Sequence, residues 1–440
     1  MDHVTGKTDS TELEIGDILA QKPYGRVITM HGAIHDIKEM SGFSFITLRK
    51  KDGVVQCIYG GDFDLPPITE ECTVLVTGIP KEEARARNGF ELTLTGLRVL
   101  TRPKASLPVK ISKAKMNLNV NTTLDLRAVT LRNLRERAVF KIQEGLTRGF
   151  RDYLEKAGFT EIHTPKIVSA GAEGGSNIFR LDYFGRKAFL TQSPQFYKQI
   201  MVGVYERVFE TAPVFRAEKH ATARHLNEYT SLDFEMGYIH SFYDVMEMET
   251  GILQSMFDLL NREYGRYLAV LKIELPDVSN IPCIRFDEAK RLASEKYGRP
   301  IRDPNDLEPE EEQNIGRYFK EETGSSFVFV THYPGKKRPF YAKDDPTDPK
   351  RTLSFDLLLN GMEVTTGGER ISDYDEQVAK LRAKGLDPAD FESYLMLHKY
   401  GVPPHGGLGL GLERLTMALL GLDNVRFATL FPRDLNRLEP

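Results

Sequence analysis

The stretch FRAEKHATARHLNEYTSLDFEM, residues 215–236, decides how this chain is interpreted. An apolar run precedes it, charged residues fill its first half, and apolar residues alternate through its second half. That order predicts a strand, a charged loop and a returning strand with a period of two residues. Guanidinium groups such as those of Arg216 and Arg224 hold phosphates and carboxylates through paired hydrogen bonds. We therefore expect this hairpin to bind a nucleotide.

The composition is typical of a soluble globular protein with more than one domain. At 440 residues the chain is longer than one hydrophobic core usually supports. A net charge of -4 gives no global signal for nucleic acid, although a local basic patch is compatible with it. The three cysteines are widely spaced and match no zinc pattern. Because the sequence has neither a long apolar run nor a basic and apolar leader, we expect a cytoplasmic protein without a membrane span.

Short alternating runs fill residues 24–100 and are separated by turn residues. They predict four or five strands without a long helix, which favours a small closed barrel of a kind that often binds single-stranded nucleic acid. Phe43, Phe45 and Tyr59 lie among basic residues, and packing of these aromatic rings in the core is an equally supported alternative. Residues 101–126, with prolines, lysines and poor periodicity, read as a linker.

A long amphipathic helix is predicted after the linker, because apolar residues recur at spacings of three and four from Leu131 to Leu154. Gly158 stands where that helix would end. A second helix is predicted to begin near Pro194 and to place Gln195 and Lys198 on one face near its N-terminus, where an anion binds favourably. Between the two helices a loop of small residues carries a single carboxylate, Glu173, for which a plain turn and a ligand site both remain open.

The region of about 270–330 looks like an insertion, and its acidic run, residues 303–314, most simply forms a solvated face. Two strands are predicted after it, SSFVFVTHYP and RPFYAK. The following stretch, SFDLLLNGMEVTTGGERI, predicts a hairpin that turns at Asn360 and Gly361. Glu363 and Thr366 offer hard oxygen ligands for Mg²⁺ bound to a phosphate chain. Arg370 lies beside two glycines and could recognise a carboxylate.

The glycine-rich stretch PPHGGLGLGLERL predicts a strand that leads into a helix. It matches neither the dinucleotide pattern nor the ending of a P-loop. We expect its glycines to let a ligand lie flat on the backbone, with Arg414 stacked on a purine ring.

Three separated segments together resemble the three motifs of the class II aminoacyl-tRNA synthetases. They are the helix and strand ending near Pro165, the hairpin of residues 215–236, and GLGLGLERL. With QSPQFYK and GMEVTTGGERI, the match is similar in detail to aspartyl-tRNA synthetases of the shorter, archaeal-like type, over nearly the whole chain. The resemblance implies a multidomain α+β protein. Its parts would be an OB-fold anticodon-binding domain at 1–105, a linker at 106–130, and a class II catalytic domain at 131–440 with the insertion, built on a mainly antiparallel sheet flanked by helices.

The resemblance also implies a site for ATP, L-aspartate and Mg²⁺. The expected catalytic residues are Arg216, Glu218 and Arg370, of which Arg216 would clamp the α-phosphate and the amino-acid carboxylate. The expected ATP contacts are Arg216, Ala217, Glu218, Arg224, His225, Leu226, Tyr229, Glu363, Gly411, Leu412, Glu413 and Arg414. The expected aspartate contacts are Glu173, Gln195, Phe196, Tyr197, Lys198, Arg216, Asp233, Thr366 and Arg370. Glu363 and Thr366 would hold Mg²⁺, and Thr366 stands where the family commonly has Ser.

The implied reaction is ATP-dependent formation of aspartyl-adenylate, followed by transfer to tRNA(Asp), in a homodimer formed through the first motif. An asparaginyl-tRNA synthetase is the closest rival, and it is disfavoured because Lys198 and Arg370 would face a neutral amide without a carboxylate partner. A non-catalytic tRNA-binding relative is disfavoured by residues at all three motifs. His35 stands where tRNA-discriminating archaeal relatives tend to have Trp, and Arg85 lies near a second such position. We therefore expect relaxed specificity that includes tRNA(Asn).

Overall fold

The computed structural model describes residues 12–171, 177–220 and 222–440. Within those ranges the chain forms two compact units, and the division falls between Glu136 and Arg137. No helix in the described ranges is both long enough and apolar enough to cross a membrane. Glu173, one of the residues expected in the aspartate site, lies outside the described residues.

The first unit contains the predicted barrel, which confirms the OB-like part of the fold prediction. Its elements are helix α1 (Ile15–Gln21) and strands β1 (Ile28–Met40), β2 (Phe43–Arg49), β3 (Val54–Tyr59), β4 (Thr73–Glu82) and β5 (Phe90–Thr101). The described strands close in the order β1-β2-β3-β5-β4, with β3 and β5 parallel and the other pairs antiparallel. Alternate residues of each strand point inward and fill the barrel with aliphatic side chains.

The segment that follows the barrel is tied to it by charged side chains. Lys110 donates to the carboxylates of Asp36 and Glu70, and Arg132 donates to Glu71 at 2.6 Å. The segment also contains two short helices, α2 (Val120–Asp125) and α3 (Arg127–Thr130). Lys110 thus already has two carboxylate partners, although the basic character of this segment in the sequence suggested contact with a phosphate backbone.

The predicted amphipathic helix is present as α4 (Leu134–Lys156), and its buried stripe includes Ala138, Ile142, Leu146, Phe150 and Leu154. It begins later than its apolar spacing indicates. The Asn133 carboxamide oxygen accepts hydrogen bonds from the backbone N–H groups of Arg135 at 2.9 Å and Glu136 at 3.3 Å. Asn133 therefore caps the helix.

The second unit is built on a mainly antiparallel sheet, as predicted. Its strands in chain order are β6 (Thr160–Glu161), β7 (Ile167–Val168), β8 (Arg180–Tyr183), β9 (Arg186–Leu190), β10 (Arg207–Phe215), β11 (Glu228–Gly237), β12 (Cys283–Arg285), β13 (Phe327–Thr331), β14 (Asp344–Asp345), β15 (Asp348–Thr352), β16 (Ser354–Leu359), β17 (Met362–Glu369) and β18 (His405–Gly411). Among the described strands, the central sheet has the order β12-β13-β16-β17-β18-β11-β10-β6, and only its two outer pairs are parallel.

Helices cover this sheet. They are α5 (Gln195–Tyr205), α6 (Phe242–Glu263), α7 (Gly265–Leu271), α8 (Phe286–Tyr297), α9 (Pro309–Thr323), α10 (Tyr374–Ala383), α11 (Glu392–Tyr400) and α12 (Leu412–Leu420), with 3₁₀ turns at Pro388–Phe391 and Val425–Ala428. The main core joins α4, α6, α7 and α12 to the sheet, whereas α8 and α9 pack in a smaller cluster around Phe286 and Ile315. Helices α4 and α6 approach so closely that a Cβ on Gly149 would lie 2.7 Å from the Met256 Cα.

One carboxyl group lies within the main core. Glu249 of α6 is 1% exposed, and neither of its carboxyl oxygens has a full hydrogen bond in the described structure. Burial raises the pKa of Glu249 to about 8, although the nearby Thr365 hydroxyl has a small opposing effect. The folded protein therefore keeps a proton on this side chain that the unfolded chain loses at neutral pH.

We predict that Glu249 makes stability fall as the pH rises from about 4.5 to about 8, because over that window only the folded state is protonated there. Glu249→Gln removes this titration, so the free energy of unfolding of the variant should rise steadily relative to that of the wild type as the pH increases across the window. Between pH 4.5 and pH 7 the difference in unfolding free energy between variant and wild type should change by roughly 3 kcal/mol in favour of the variant. Urea unfolding at several pH values measures it. Glu247→Gln, at an exposed position on the same helix, is the control, and parallel pH profiles for both variants would contradict the prediction.

Candidate functional site

The hairpin of residues 215–236 forms as predicted from β10 and β11, with Phe215 opposite Glu228 and Arg207 opposite Met236. Strand alternation places Tyr229, Ser231, Asp233 and Glu235 of β11 on one face. The first three of these residues line a cavity of about 410 Å³. The returning strand of the hairpin is therefore one wall of the candidate site.

Most of the residues expected in the site come together around this cavity. Those that line it are Gln195, Arg216, Glu218, Arg224, His225, Leu226, Tyr229, Asp233, Glu363, Thr366, Arg370, Gly411, Glu413 and Arg414. Those that the structure places outside its described lining are Phe196, Tyr197, Lys198, Ala217 and Leu412. The expected residues that line the cavity thus come from four separate parts of the sequence, and further segments complete the lining.

At one end of the cavity lies a charge quartet, formed by Lys198, Asp233, Glu235 and Arg370. The Lys198 ammonium is 2.9 Å from Asp233 Oδ1 and 3.3 Å from Glu235 Oε2. Arg370 donates to the two oxygens of Glu235 at 2.8 and 3.3 Å. Burial alone would raise the pKa of Glu235, but Arg370 and then Lys198 lower it below the usual value, so this carboxylate is ionised. The quartet therefore holds two cations and two anions in a buried, balanced arrangement.

Glu235 corrects one premise of the sequence argument. Lys198 and Arg370 were expected to lack a carboxylate partner unless aspartate was bound, yet Glu235 is fully buried between them. Period-two alternation in LDFEM would have indicated it, because Glu235 follows Asp233 by two residues and must share its face. Lys198 also donates to the Leu408 carbonyl at 2.8 Å, which ties its ammonium to β18 as well as to β11.

Phe196 and Tyr197 take other positions on α5. Phe196 packs in an aromatic cluster, with its ring centroid 4.8 Å from that of Tyr394 and 6.0 Å from that of Phe391. Tyr197 is half-buried, and burial raises its pKa. Phe196 therefore supports the helix that presents Gln195 and Lys198.

The other end of the cavity carries separate arginines and an aromatic ring. The Arg216 guanidinium lies 5.9 Å from the centroid of the Tyr229 ring, and Arg414 lies 3.4 Å from Glu363 Oε1. Glu218 accepts a hydrogen bond from Asn177 at 3.1 Å. Flat cations beside an aromatic ring suit a purine and its phosphates.

The acidic run of residues 303–314 is only partly a solvated face, contrary to the sequence expectation. Glu311 is fully buried and accepts two hydrogen bonds from Lys290 at 2.7 Å. Glu312 reaches the site and accepts from Arg224 at 3.0 Å. Burial, followed by repulsion from Glu363, raises the pKa of Glu312 to about 7. Helical spacing alone could not identify these two acids, because their partners lie elsewhere in the sequence.

RPFYAK does not form the predicted strand. Its first residue, Arg338, lies in a turn, lines the cavity and donates to Asp356 Oδ1 at 2.7 Å. The guanidinium also lies 3.9 Å from the centroid of the Tyr333 ring. Arg338, Asp356 and the neighbouring Lys337 were missed by the sequence analysis. The available signal was the run of three basic residues KKR, which is also typical of an exposed turn.

Glu363 and Thr366 share one face of β17 because the strand contains a bulge. Leu358 pairs with Glu363 but Leu357 pairs with Thr365, so Val364 is an extra residue. Without it, side chains three residues apart would point to opposite faces. In the structure the Thr366 hydroxyl donates to Glu363 Oε1 at 3.3 Å.

Carboxyl groups crowd the position of Glu363. Burial raises the pKa of Asp356 to about 6, with opposition from Arg338 and a further rise due to Glu363. In the described ranges no cluster of three or more His, Cys, Asp or Glu side chains is close enough to hold one metal ion. The Glu363 carboxylate and the Thr366 hydroxyl are nevertheless suitable donors for Mg²⁺, which keeps several waters and binds phosphates together with one or two carboxylates.

The two expected tRNA-discrimination residues lie in the barrel unit. His35 sits at a bulge of β1, is 4% exposed and lies 3.4 Å from the Arg49 guanidinium. Burial, and then Arg49, lowers the pKa of His35 to about 4, so it is neutral. Arg85 is exposed between β4 and β5, where it donates to Glu83 at 2.8 Å.

Comparisons with known proteins agree with this architecture. The family model described as "tRNA synthetases class II (D, K and N)" matches residues 119–435. A protein of Deinococcus radiodurans named "Aspartate--tRNA(Asp/Asn) ligase" is 47% identical over 94% of this chain and 96% of its own length. A protein of the same name from Thermus thermophilus is 46% identical over 94% of this chain and 97% of its own length.

The solved structures include asparaginyl-tRNA synthetase from Pyrococcus horikoshii complexed with asparaginyl-adenylate. It superposes with a TM-score of 0.88 at 30% identity, over 95% of this chain and 97% of that chain. The matched segment contains the hairpin, the charge quartet and the bulged strand described above. The chain belongs to the class II tRNA synthetases of the D, K and N group.

Proposed function

We propose that this protein is an aspartate–tRNA ligase, which activates L-aspartate with ATP and transfers the aspartyl group to tRNA(Asp). The observation that carries the proposal is a single cavity with the charge quartet at one end and Arg216, Tyr229 and Arg414 at the other. The names of the two bacterial relatives support it. In this assignment residues 1–105 bind the anticodon, residues 106–130 link the domains, and residues 131–440 carry catalysis.

The reaction requires orientation and charge neutralisation more than a protein nucleophile. An oxygen of the aspartate α-carboxylate attacks the α-phosphorus of ATP, and the bond to pyrophosphate breaks. Arg216 lines the same cavity as Asp233 and Arg370, so it can bind the carboxylate and the α-phosphate together. A ribose hydroxyl at the tRNA terminus then attacks the aspartyl carbonyl, and AMP leaves.

The amino acid would lie against the charge quartet. Asp233 lines the cavity and would accept hydrogen bonds from the substrate ammonium, as would Glu173. Arg370 also lines the cavity and would bind the side-chain carboxylate with support from Lys198 behind it. Glu235 would hold both cations in place before substrate arrives.

Mg²⁺ would be held by Glu363 and Thr366, together with phosphate oxygens and water. The fit rests on the oxygen donors of Glu363 and Thr366 and on the neighbouring carboxyl groups of Glu312 and Asp356, whose pKa values are raised first by burial and further by repulsion from Glu363. When bound, the ion would neutralise charge on the triphosphate. Arg414 and Arg338 lie beside the same carboxylates and would orient the phosphate chain.

The rival asparagine activity is less consistent with this site. An amide offers the Arg370 guanidinium one neutral acceptor in place of two charged oxygens, so the substrate loses a charge-assisted pair. Glu235 already accepts hydrogen bonds from the Arg370 guanidinium. The expected discrimination between aspartate and asparagine is therefore smaller than it would be if Arg370 had no carboxylate partner in the protein. A non-catalytic tRNA-binding role is disfavoured because candidate ATP residues from separate segments converge on one cavity.

We predict that Arg370→Leu lowers aspartate-dependent pyrophosphate exchange by at least about a hundredfold, because a buried charge pair loses one partner. ATP binding should change by less than about threefold, since Arg370 lies at the opposite end of the cavity from Arg414. Exchange kinetics and calorimetric titration of ATP measure the two effects. Arg382→Leu, at an exposed position of α10, is the control. Unchanged exchange in a folded Arg370→Leu protein would refute the assignment.

The tRNA specificity is proposed to include tRNA(Asn). Both reported relatives carry names that include Asp and Asn. His35 is buried beside Arg49, so its influence on the third anticodon base would pass through exposed neighbours. Arg87 is one such neighbour, because its charge contributes to the low pKa of His35.

We predict that purified tRNA(Asp) and tRNA(Asn) are both aspartylated, with kcat/KM values within about tenfold, or 1.4 kcal/mol. Transcripts of tRNA(Asp) that differ only at the third anticodon base isolate the contribution of the barrel. A preference above a thousandfold for tRNA(Asp) would show a discriminating enzyme and leave the ligase assignment intact.

The working state is proposed to be a cytoplasmic homodimer. The α4 helix exposes a groove lined by Phe140, Thr147, Arg151, Leu412 and Leu430, and the first class II motif, which this helix resembles, lies at a twofold interface in the family. We predict sedimentation as a dimer at micromolar concentration. Thr147→Arg should shift the population to monomer by placing two added charges in the interface, and a wild-type monomer at these concentrations contradicts the proposal.

A further inference from the structure

The charged loop between β10 and β11 is held by the end of the chain. The Val425 N–H donates to the Ala223 carbonyl at 2.9 Å, and Arg426 Nη1 donates to the Thr222 carbonyl at 3.3 Å. Farther along the loop, the Asn227 N–H donates to the Arg433 carbonyl at 2.8 Å. We call residues 424–434 the C-terminal clamp. Its hydrogen bonds reach the loop backbone on both sides of residues 224–226, which line the cavity.

Arg426 is the central side chain of the clamp. It is mostly buried and pairs with the Asp434 carboxylate, which is also buried. The side chain of Asn424 caps the 3₁₀ turn that carries Arg426, because its carbonyl oxygen accepts the Arg426 N–H at 3.0 Å. A guanidinium fixed by a carboxylate on one side can direct its remaining N–H groups at a backbone carbonyl on the other.

The part of the loop that is bound by the clamp forms one wall of the cavity at its proposed nucleotide end. Arg224, His225 and Leu226 all line the cavity, and so does Val425 of the clamp. The opposite side of the loop is held by the Arg224–Glu312 pair. The position of three cavity residues thus depends on contacts that the clamp makes with the backbone.

We propose that Arg426 and Asp434 are positioning residues, which act as a unit to hold the β10–β11 loop against the nucleotide and thereby set the KM for ATP. The inference rests on the proposed function, because it takes the cavity end near Arg414 as the ATP site. The clamp meets β11 at its first residue, because Glu228 bridges Arg433, whereas the aspartate end uses Asp233 and Glu235 farther along that strand together with α5 and Arg370. The effect of the pair is therefore confined to one substrate.

The test compares Asp434→Asn, Arg426→Met and the double variant in aspartate-dependent pyrophosphate exchange, with ATP and aspartate varied separately. Each single variant should raise the KM for ATP about five- to tenfold and move the KM for aspartate less than twofold. The double variant should be no worse than either single one, because the two side chains act together. Asp423→Asn, which changes an exposed carboxylate directly before the clamp, should match the wild type.

A second readout does not depend on activity. Trypsin cleavage after Lys219 or Arg224 should be several-fold faster in the variants than in the wild type or the Asp423→Asn control, because the loop is released. If Asp434→Asn does not fold, Arg426→Lys replaces it. A lysine keeps the charge beside Asp434 but cannot also reach the Thr222 carbonyl, so its KM for ATP should still rise.

Three outcomes overturn the inference. The first is an unchanged KM for ATP in folded variants. The second is a lower melting temperature together with a loss of kcat and no change in either KM. The third is unchanged trypsin cleavage. If the wild type itself shows no aspartate-dependent exchange, the proposed function fails instead, and the two failures are thereby distinguished.

Discussion

The site depends on a buried balance of charge at the middle of the central sheet. The balance is made by Lys198 on α5, Asp233 and Glu235 on β11, and Arg370 directly after β17. Each of these side chains is almost inaccessible to water. Removing any one partner would leave an uncompensated charge in a medium of low polarity, which costs several kcal/mol. The three elements are therefore held in one relative position by electrostatics as well as by apolar packing. Substrate aspartate would enter an arrangement whose cations are already oriented.

Local irregularities of the strands decide which side chains reach the ligand. The extra residue Val364 in β17 lets Glu363 and Thr366 share a face, and the bulge in β1 turns His35 inward. A regular strand would send one member of the first pair into the helical core. Thr365, which does point into that core, faces Glu249. A single bulge thus separates the polar site from a neutral buried acid on the other side of the sheet.

The nucleotide end is organised differently, because it relies on loops fixed at their bases. The hairpin loop is held by Glu312 from α9 and by backbone contacts with residues 424–434. The turn that carries Arg338 is held by Lys384, whose ammonium donates to the carbonyls of Gly335 at 2.7 Å and Arg338 at 2.9 Å. The contacts that position this end therefore act on loops, whereas the charge quartet at the other end lies on a helix and strands.

Periodicity determined the barrel strands and the α4 stripe from sequence alone, because these features depend on alternation and spacing within one element, which a linear pattern records. The mainly antiparallel sheet and the expected convergence of Arg216, Asp233, Glu363 and Arg414 followed from the resemblance of the motifs to a known family. Tertiary structure alone decided the rest. These features join positions that are distant in sequence. They are the pairing of Glu235 with Arg370, the burial of Glu311 and Glu312, the bond from Arg338 to Asp356, and the contact of residues 424–434 with the hairpin loop. Their pairing depends on register, bulges and the paths of loops, and no local pattern contains that information.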